Sequence, residues 1–267
     1  MCLIAVAIDA HPRWRFVLVG NRDEFHARPT APAGPLDDAG TRWGGRDLQA
    51  GGGWLQVDAS GRVAAVTNVR TGRPESAARS RGALVAEFIA GDANADDTAD
   101  AYLDALMPQV QDFGRFNLLL WDGAAHFASN HPEPRRRPLV PGLHALSNGD
   151  LDAPWPKTEA LRARLAAWLE LADDRDPRAF DVAAPLFDAL ADPCEAPDAA
   201  LPSTGVPLSW ERRLSAAFIV GAEYGTRAST VVLVGEDGLW FEECRFGPDG
   251  VAEGRSAGWL ARVSSWP

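Results

Sequence analysis

The first two dozen residues, MCLIAVAIDAHPRWRFVLVGNRDE, constrain this chain more than any other stretch. Two apolar runs, Leu3–Ile8 and Phe16–Val19, flank a turn-rich segment containing Asp9, His11 and Pro12, which is the pattern of a β-hairpin. Almost nothing precedes the first strand. Removal of Met1 would make Cys2 terminal, with a thiol and a free α-amine on one carbon. A free thiol titrates near about 8.5 and such an amine near about 7.7–8.0. The neutral amine is then able to take the thiol proton without a separate His. The plainer reading of Cys2 is a small apolar residue opening a buried strand.

The run Asn21-Arg22-Asp23-Glu24 weighs toward chemistry. Four polar residues that end the second strand directly after FVLVG are costly to bury unless paired or used. In a simple hairpin they return toward Cys2. Strand alternation sets Asn21 and Asp23 on one face and Arg22 and Glu24 on the other, so both pairs face Cys2 only if the strand bulges. An internally paired ion cluster is the structural alternative.

Composition narrows the function. The chain has 267 residues, a length that suits one layered domain, here taken as 1–267. Lys and Arg total 26 against 37 Asp and Glu, a net charge of −11 that argues against non-specific nucleic-acid binding and anionic membranes. A small anion held by local Arg residues stays open. Cys2, Cys194 and Cys244 form neither a disulfide framework nor a zinc spacing, which points to a reducing compartment. The five His show no i, i+4 pair, so no metal site is expected. No stretch reaches the roughly 18 apolar residues of a membrane span, and the six-residue run after Met1 lacks the basic flank of a signal peptide. A cytoplasmic protein without membrane insertion is expected.

Residues 27–53 are rich in Pro and Gly and predict a long surface loop. Strands are predicted at Trp54–Val57, Val63–Thr67, Asn117–Trp121, His126–Ala128, Leu143–Leu146, Ala216–Val220, Thr230–Val234 and Leu239–Glu243. Helices are predicted at Ala83–Ala90, at Ala99–Met107 with Asp96, Asp97 or Thr98 as cap, at Lys157–Ala172, and at Val182–Leu190, with 130–141 and 191–208 as loops. Leu201-Pro202-Ser203-Thr204-Gly205 imitates a cell-wall sorting signal but has no hydrophobic tail behind it.

Five pieces, taken together, carry a resemblance. They are Met1-Cys2, Asn21-Arg22-Asp23-Glu24, the segment from Ser147-Asn148-Gly149 to Trp155-Pro156-Lys157, Leu201–Val206, and Tyr224-Gly225-Thr226-Arg227. In this order they resemble the NRDE-motif family, also called the Transport and Golgi organisation protein two family. The resemblance implies an α+β fold, a four-layer αββα sandwich of antiparallel sheets of the N-terminal nucleophile (Ntn) hydrolase type. It also implies a link to haem trafficking and to lipid or acyl-coenzyme A homeostasis. Matched against the wider cysteine Ntn hydrolases, Cys2 is the nucleophile and Asp23 or Glu24 the carboxylate near its amine. Asn68 matches the oxyanion donor, Asn148 the second Asn and Arg227 the late Arg. The adjacency of Arg22 and Asp23 departs from the spaced pattern and leaves their roles open.

Two function classes follow. One is a pocket at Cys2 that binds or traffics haem or an acyl-CoA, walled by Asn21, Arg22, Glu24, Trp43 and Trp54; it needs no cofactor, with haem as a possible ligand, and is slightly favoured. The other is a cysteine hydrolase acting on an amide or thioester.

Overall fold

The computed structural model describes residues 2–73, 75–91, 98–171 and 180–262. The opening hairpin forms as its pattern dictates. β1 (Cys2–Ile8) and β2 (Phe16–Phe25) pair antiparallel, with Cys2 opposite Arg22 and Ile8 opposite Phe16. The NRDE run forms the end of β2, as the sequence reading expects, with Phe25 closing the strand.

These two strands sit inside a six-stranded sheet. β10 (Gly142–Leu146) flanks β1, and β11 (Tyr224–Val234), β12 (Gly238–Phe246) and β13 (Ala252–Ala261) follow β2, giving the order β10-β1-β2-β11-β12-β13. The second sheet has seven strands in sequence order. They are β3 (Thr30–Pro35), β4 (Arg42–Asp47), β5 (Leu55–Asp58), β6 (Val63–Asn68), β7 (Phe116–Trp121), β8 (Ala125–Ser129) and β9 (Arg135–Pro138). Every pairing is antiparallel.

Alternation along the strands builds three apolar layers. Ile4, Val6, Phe16 and Leu18 pack between the sheets against Val57, Leu119 and Trp121, where Phe16 stacks on Trp121 with centroids 4.9 Å apart. The opposite faces of β1 and β2 (Leu3, Ala5, Val17, Val19) meet Leu161, Leu165 and Trp168 of α3 (Pro156–Leu171) and Leu186 of α4 (Phe180–Leu190). On the far side of the second sheet, Ala64, Leu118 and Leu120 meet Leu84 and Phe88 of α1 (Arg81–Ala90) and Leu103 of α2 (Ala99–Leu106). The result is the expected αββα sandwich. Strands covered on both faces are apolar almost throughout, which is why period-2 alternation was muted in the sequence.

Local chemistry sets the helix starts. Ser80 caps α1 through the Gly82 amide, and Thr98, one of three residues expected to cap α2, accepts from the Ala101 amide at 3.2 Å. Asp96 and Asp97 lie outside the described residues.

Three expectations are corrected. The Pro/Gly-rich stretch at 27–53 is not all loop, because it supplies β3 and β4; β3 is a sheet edge, where Pro32 and Pro35 need no ladder partner. The Pro/Arg-rich loop at 130–141 contains β9, the other edge, whose charged residues suit an exposed rim. Ala216–Val220 is not a strand. Its main chain is consumed by capture of other elements: the Ala217 carbonyl accepts from Asn21, and the Phe218 amide donates to Asp192.

Among the described residues no helix is long and apolar enough to cross a membrane.

Candidate functional site

At the start of β1 a cleft of about 790 Å³ opens, walled by Cys2, Arg22, Asp23, Trp54, Asn68 and Arg70 among others. The hairpin register delivers the first pair: Cys2 and Arg22 are opposed across β1 and β2, so both side chains leave the same face of the sheet. The Cys2 carbonyl accepts from the Ser147 hydroxyl at 2.9 Å, which ties the strand start to the segment after β10. Burial pushes the Cys2 thiol above its usual range, and Asp23 and Glu24 push it further, while Arg22 pulls it down. The thiol therefore stays protonated unless a base takes its proton.

Arg22 is 6 % exposed and lies with its guanidinium carbon 4.5 Å from the Trp54 ring centroid. Its Nη1 is buried and makes no hydrogen bond among the described residues. Glu24, partly exposed, accepts from the Phe25 amide at 2.9 Å and stands 4.0 Å from Arg28. Asp23 is fully buried and accepts from the Thr226 hydroxyl at 2.7 Å. Its carboxyl is pushed up by burial and held down chiefly by Lys157.

The two asparagines meet. The Asn148 Nδ2 donates to both the main-chain oxygen and the Oδ1 of Asn68, each at 3.0 Å. A main-chain oxygen only accepts, so this contact fixes which end of the Asn148 amide is nitrogen. The Asn68 oxygen must then face Asn148, leaving its own Nδ2 with no hydrogen bond among the described residues, on a residue that lines the cleft. Asn148 is fully buried and acts on Asn68 rather than on the cleft.

Other expected residues lie elsewhere. Asn21 faces the helical layer, donates to the Leu190 and Ala217 carbonyls at 2.8 and 2.7 Å, and accepts from Ser229; no bulge in β2 turns it toward Cys2. Trp43 packs between the sheets against Phe241 and Gly258. Arg227 occupies the irregularity between Thr226 and Ala228 where β11 pairs with β2. Its Nη1 donates to the carbonyls of Phe25, His26 and Arg28 at 3.2 Å each, so it clasps the turn after β2. It borders a smaller recess of about 180 Å³ that it shares with Arg22, Trp54 and Glu243.

Sequence reading missed a buried polar layer beneath the thiol. Arg70 and Glu211 of α5 (Leu208–Arg213) form a buried ion pair at 3.1 Å, and Glu211 also accepts from the Thr204 amide and hydroxyl at 2.7 Å. The apparent sorting signal is thus a segment that anchors Glu211. Lys157, 5 % exposed, donates to the Leu214 carbonyl at 2.9 Å. A signal for it existed: a lysine in the first turn of a helix opposes the helix dipole and needs another reason to be there.

Burial pulls the Lys157 ammonium down from 10.5 to about 8, against the opposing influence of Asp23. The charged and titratable groups acting on it are Asp23 on β2, Arg70 after β6 and Cys2 on β1. Between pH 8 and 10.5 the unfolded chain holds a proton that the folded one has released, so this lysine's contribution to stability rises with pH across that window. Lys157→Met is expected to remove a rise on the order of 3 kcal/mol, read as the difference between the urea-unfolding curves of the two proteins from pH 7 to 10.5. Parallel curves for the two proteins would count against this coupling.

Two antiparallel sheets between helical layers, with a cysteine at the first strand's start, define the class: the chain has the Ntn-hydrolase fold. A solved penicillin V acylase from Agrobacterium tumefaciens superimposes with a TM-score of 0.54 at 11% identity, covering 97% of this chain and 85% of that one. Residues 1–245 match the family Transport and Golgi organisation 2, and the chain belongs to that family. The chain is 31% identical over 255 residues to the Transport and Golgi organization protein 2 homolog of Bos taurus and 30% identical to that of Homo sapiens. Each alignment covers 89% of this chain and 90% of the relative.

Proposed function

We propose that the cleft receives an acyl group carried on an amide or thioester and that Cys2 is its nucleophile. The observation that carries this reading is the Asn148–Asn68 contact, which leaves the Asn68 Nδ2 without a partner among the described residues at the wall that Cys2 shares. An oxyanion site needs a donor held in place before the charge develops, and an amide oriented by a fully buried partner supplies one.

The chemistry begins with removal of Met1, because a peptide nitrogen accepts no proton. The freed amine of Cys2 takes the thiol proton, and Sγ forms a bond to the acyl carbon. The carbonyl π electrons pass to oxygen, which accepts from the Asn68 Nδ2. Collapse breaks the bond to the leaving amine or thiol, which departs with the proton held by the Cys2 ammonium. The Cys2 amine takes a proton from water as its oxygen bonds to the thioacyl carbon; the C–S bond then breaks, that proton passes to Sγ, and the acid leaves. Asp23, beside the strand start, stabilises the ammonium, and Asn148 acts through Asn68 as a positioning residue. A cytoplasmic setting, which keeps thiols reduced, suits this chemistry.

The test is intact mass after exposure to an acyl substrate: Met1 absent and a single acyl adduct on Cys2. Retained Met1 in active protein would overturn the free-amine step, and an adduct that persists in Cys2→Ala would overturn the assignment. Asn68→Ala is expected to lower kcat about 10²–10³-fold with little change in KM. A change confined to KM would instead make Asn68 a binding contact.

A second reading draws on the Arg22–Trp54 pair, which sets a cation and an apolar face side by side at Cys2. The same wall suits a carrier of haem, with propionates on Arg residues and the Cys2 thiolate on iron, or of intact acyl-CoA. A Soret band that shifts in Cys2→Ala, with no acyl adduct in the wild type, would favour the carrier.

A further inference from the structure

A second groove, of about 500 Å³, lies on the other side of Arg70 and Asn148 from the thiol. Its walls come from the loops after β6, β8 and β10 and from the segment ahead of α5. Backbone contact locks two of these together: a Cβ on Gly72, whose φ is +64°, would stand 2.1 Å from the Gly205 carbonyl oxygen.

The chain carries a net charge of −11, yet Arg70, Arg73, Arg115 and Arg135 all line this groove against the single carboxylate Asp150. Glu211 holds Arg70 at 3.1 Å, and the other three outnumber the carboxylates that reach them. Asp150 pairs with Arg135 at 2.7 Å, and Glu75, outside the lining, is divided between Arg115 at 3.6 Å and Arg81 at 2.9 Å. Arg73 makes no ion pair or hydrogen bond among the described residues. The fifth basic group, His131, has its imidazole pushed down by burial and by the fields of Arg115 and Arg135. It stays neutral and polar at the groove wall.

We propose that this groove binds a phosphorylated small molecule through its phosphate or pyrophosphate group. Arg73, Arg115 and Arg135, brought together from after β6, ahead of β7 and the start of β9, present more N–H donors than Asp150 and the shared Glu75 satisfy, whereas a phosphoryl group offers several oxygens for forked contacts. The volume is within the range of small-ligand sites and exceeds what a lone phosphate fills. The acidic remainder of the surface repels a long polyanion, which restricts the ligand to a small one. The inference does not depend on Cys2 being a nucleophile.

Calorimetric titration with inorganic pyrophosphate and with a nucleoside diphosphate tests it. One ligand per chain is expected, with affinity falling as salt rises. Arg73→Glu and Arg135→Gln are each expected to weaken binding about tenfold or more with an unchanged melting temperature. Tighter binding of the nucleoside diphosphate would assign the groove to a nucleotide-like ligand, and equal binding to the bare phosphoryl group. Absence of heat from both ligands would overturn the proposal. So would wild-type affinity in both variants, or binding abolished by Cys2→Ala alone, which would put the anion in the first cleft.

Discussion

Cys2→Ala is expected to fold, to keep ligand in the cleft and to lose acyl turnover by at least about four orders of magnitude. The half-buried side chain loses only its sulfur, and the strand that carries it is held on both flanks, by β2 and by β10. The thiol's own environment is unfavourable to the thiolate, because burial, Asp23 and Glu24 all raise its pKa. In the proposed mechanism the amine of the same residue takes that proton, so sulfur and amine are tested together. The decisive comparison is turnover of a thioester and an amide by wild type, by Cys2→Ala and by wild type with Met1 retained. Activity within tenfold of wild type in either altered protein would remove the thiol, or the free amine, from the mechanism.

Glu211→Ala is expected to destabilise the fold by about 3–5 kcal/mol, because it leaves Arg70 as an uncompensated buried charge. Glu211 also accepts twice from Thr204, so the segment ahead of α5 loses its anchor at the same time. A fall in melting temperature on the order of 10 °C follows for a chain of this size. The double variant Arg70→Met with Glu211→Leu is expected to recover most of the loss, since paired removal of a buried ion pair leaves no orphan charge. A single variant within about 0.5 kcal/mol of wild type would mean that water reaches Arg70 and the layer is not closed.

The scaffold was legible where apolar periodicity was strong. α3 was readable from Leu161, Leu165, Trp168 and Leu169, and the hairpin from two apolar runs about a turn. β3, β4 and β9 were not, because edge strands tolerate Pro, Gly and Arg that elsewhere mark loops. The site divides in the same way. Cys2, Arg22, Asp23 and Asn68 share a cleft because a hairpin register and strand ends put them there. The place of Arg227 depends on one irregularity in β11, and that of Trp43 on which sheet claims a glycine-rich strand; neither leaves a local trace. The Arg70–Glu211 pair joins residues 141 positions apart in sequence, beyond the reach of any spacing argument.

The sheet that carries Cys2 is assembled from both ends of the chain: β1 and β2 come first, but β11 closes against β2 only from residue 224 onward. A ribosome adding about 5–20 residues per second needs on the order of 10–40 s to make that neighbour. By the end of this interval the opposite sheet, β10, α3 and α4 have been made, and β2 still lacks its second neighbour. The strands from β11 to β13 are therefore the last part of the sandwich to close.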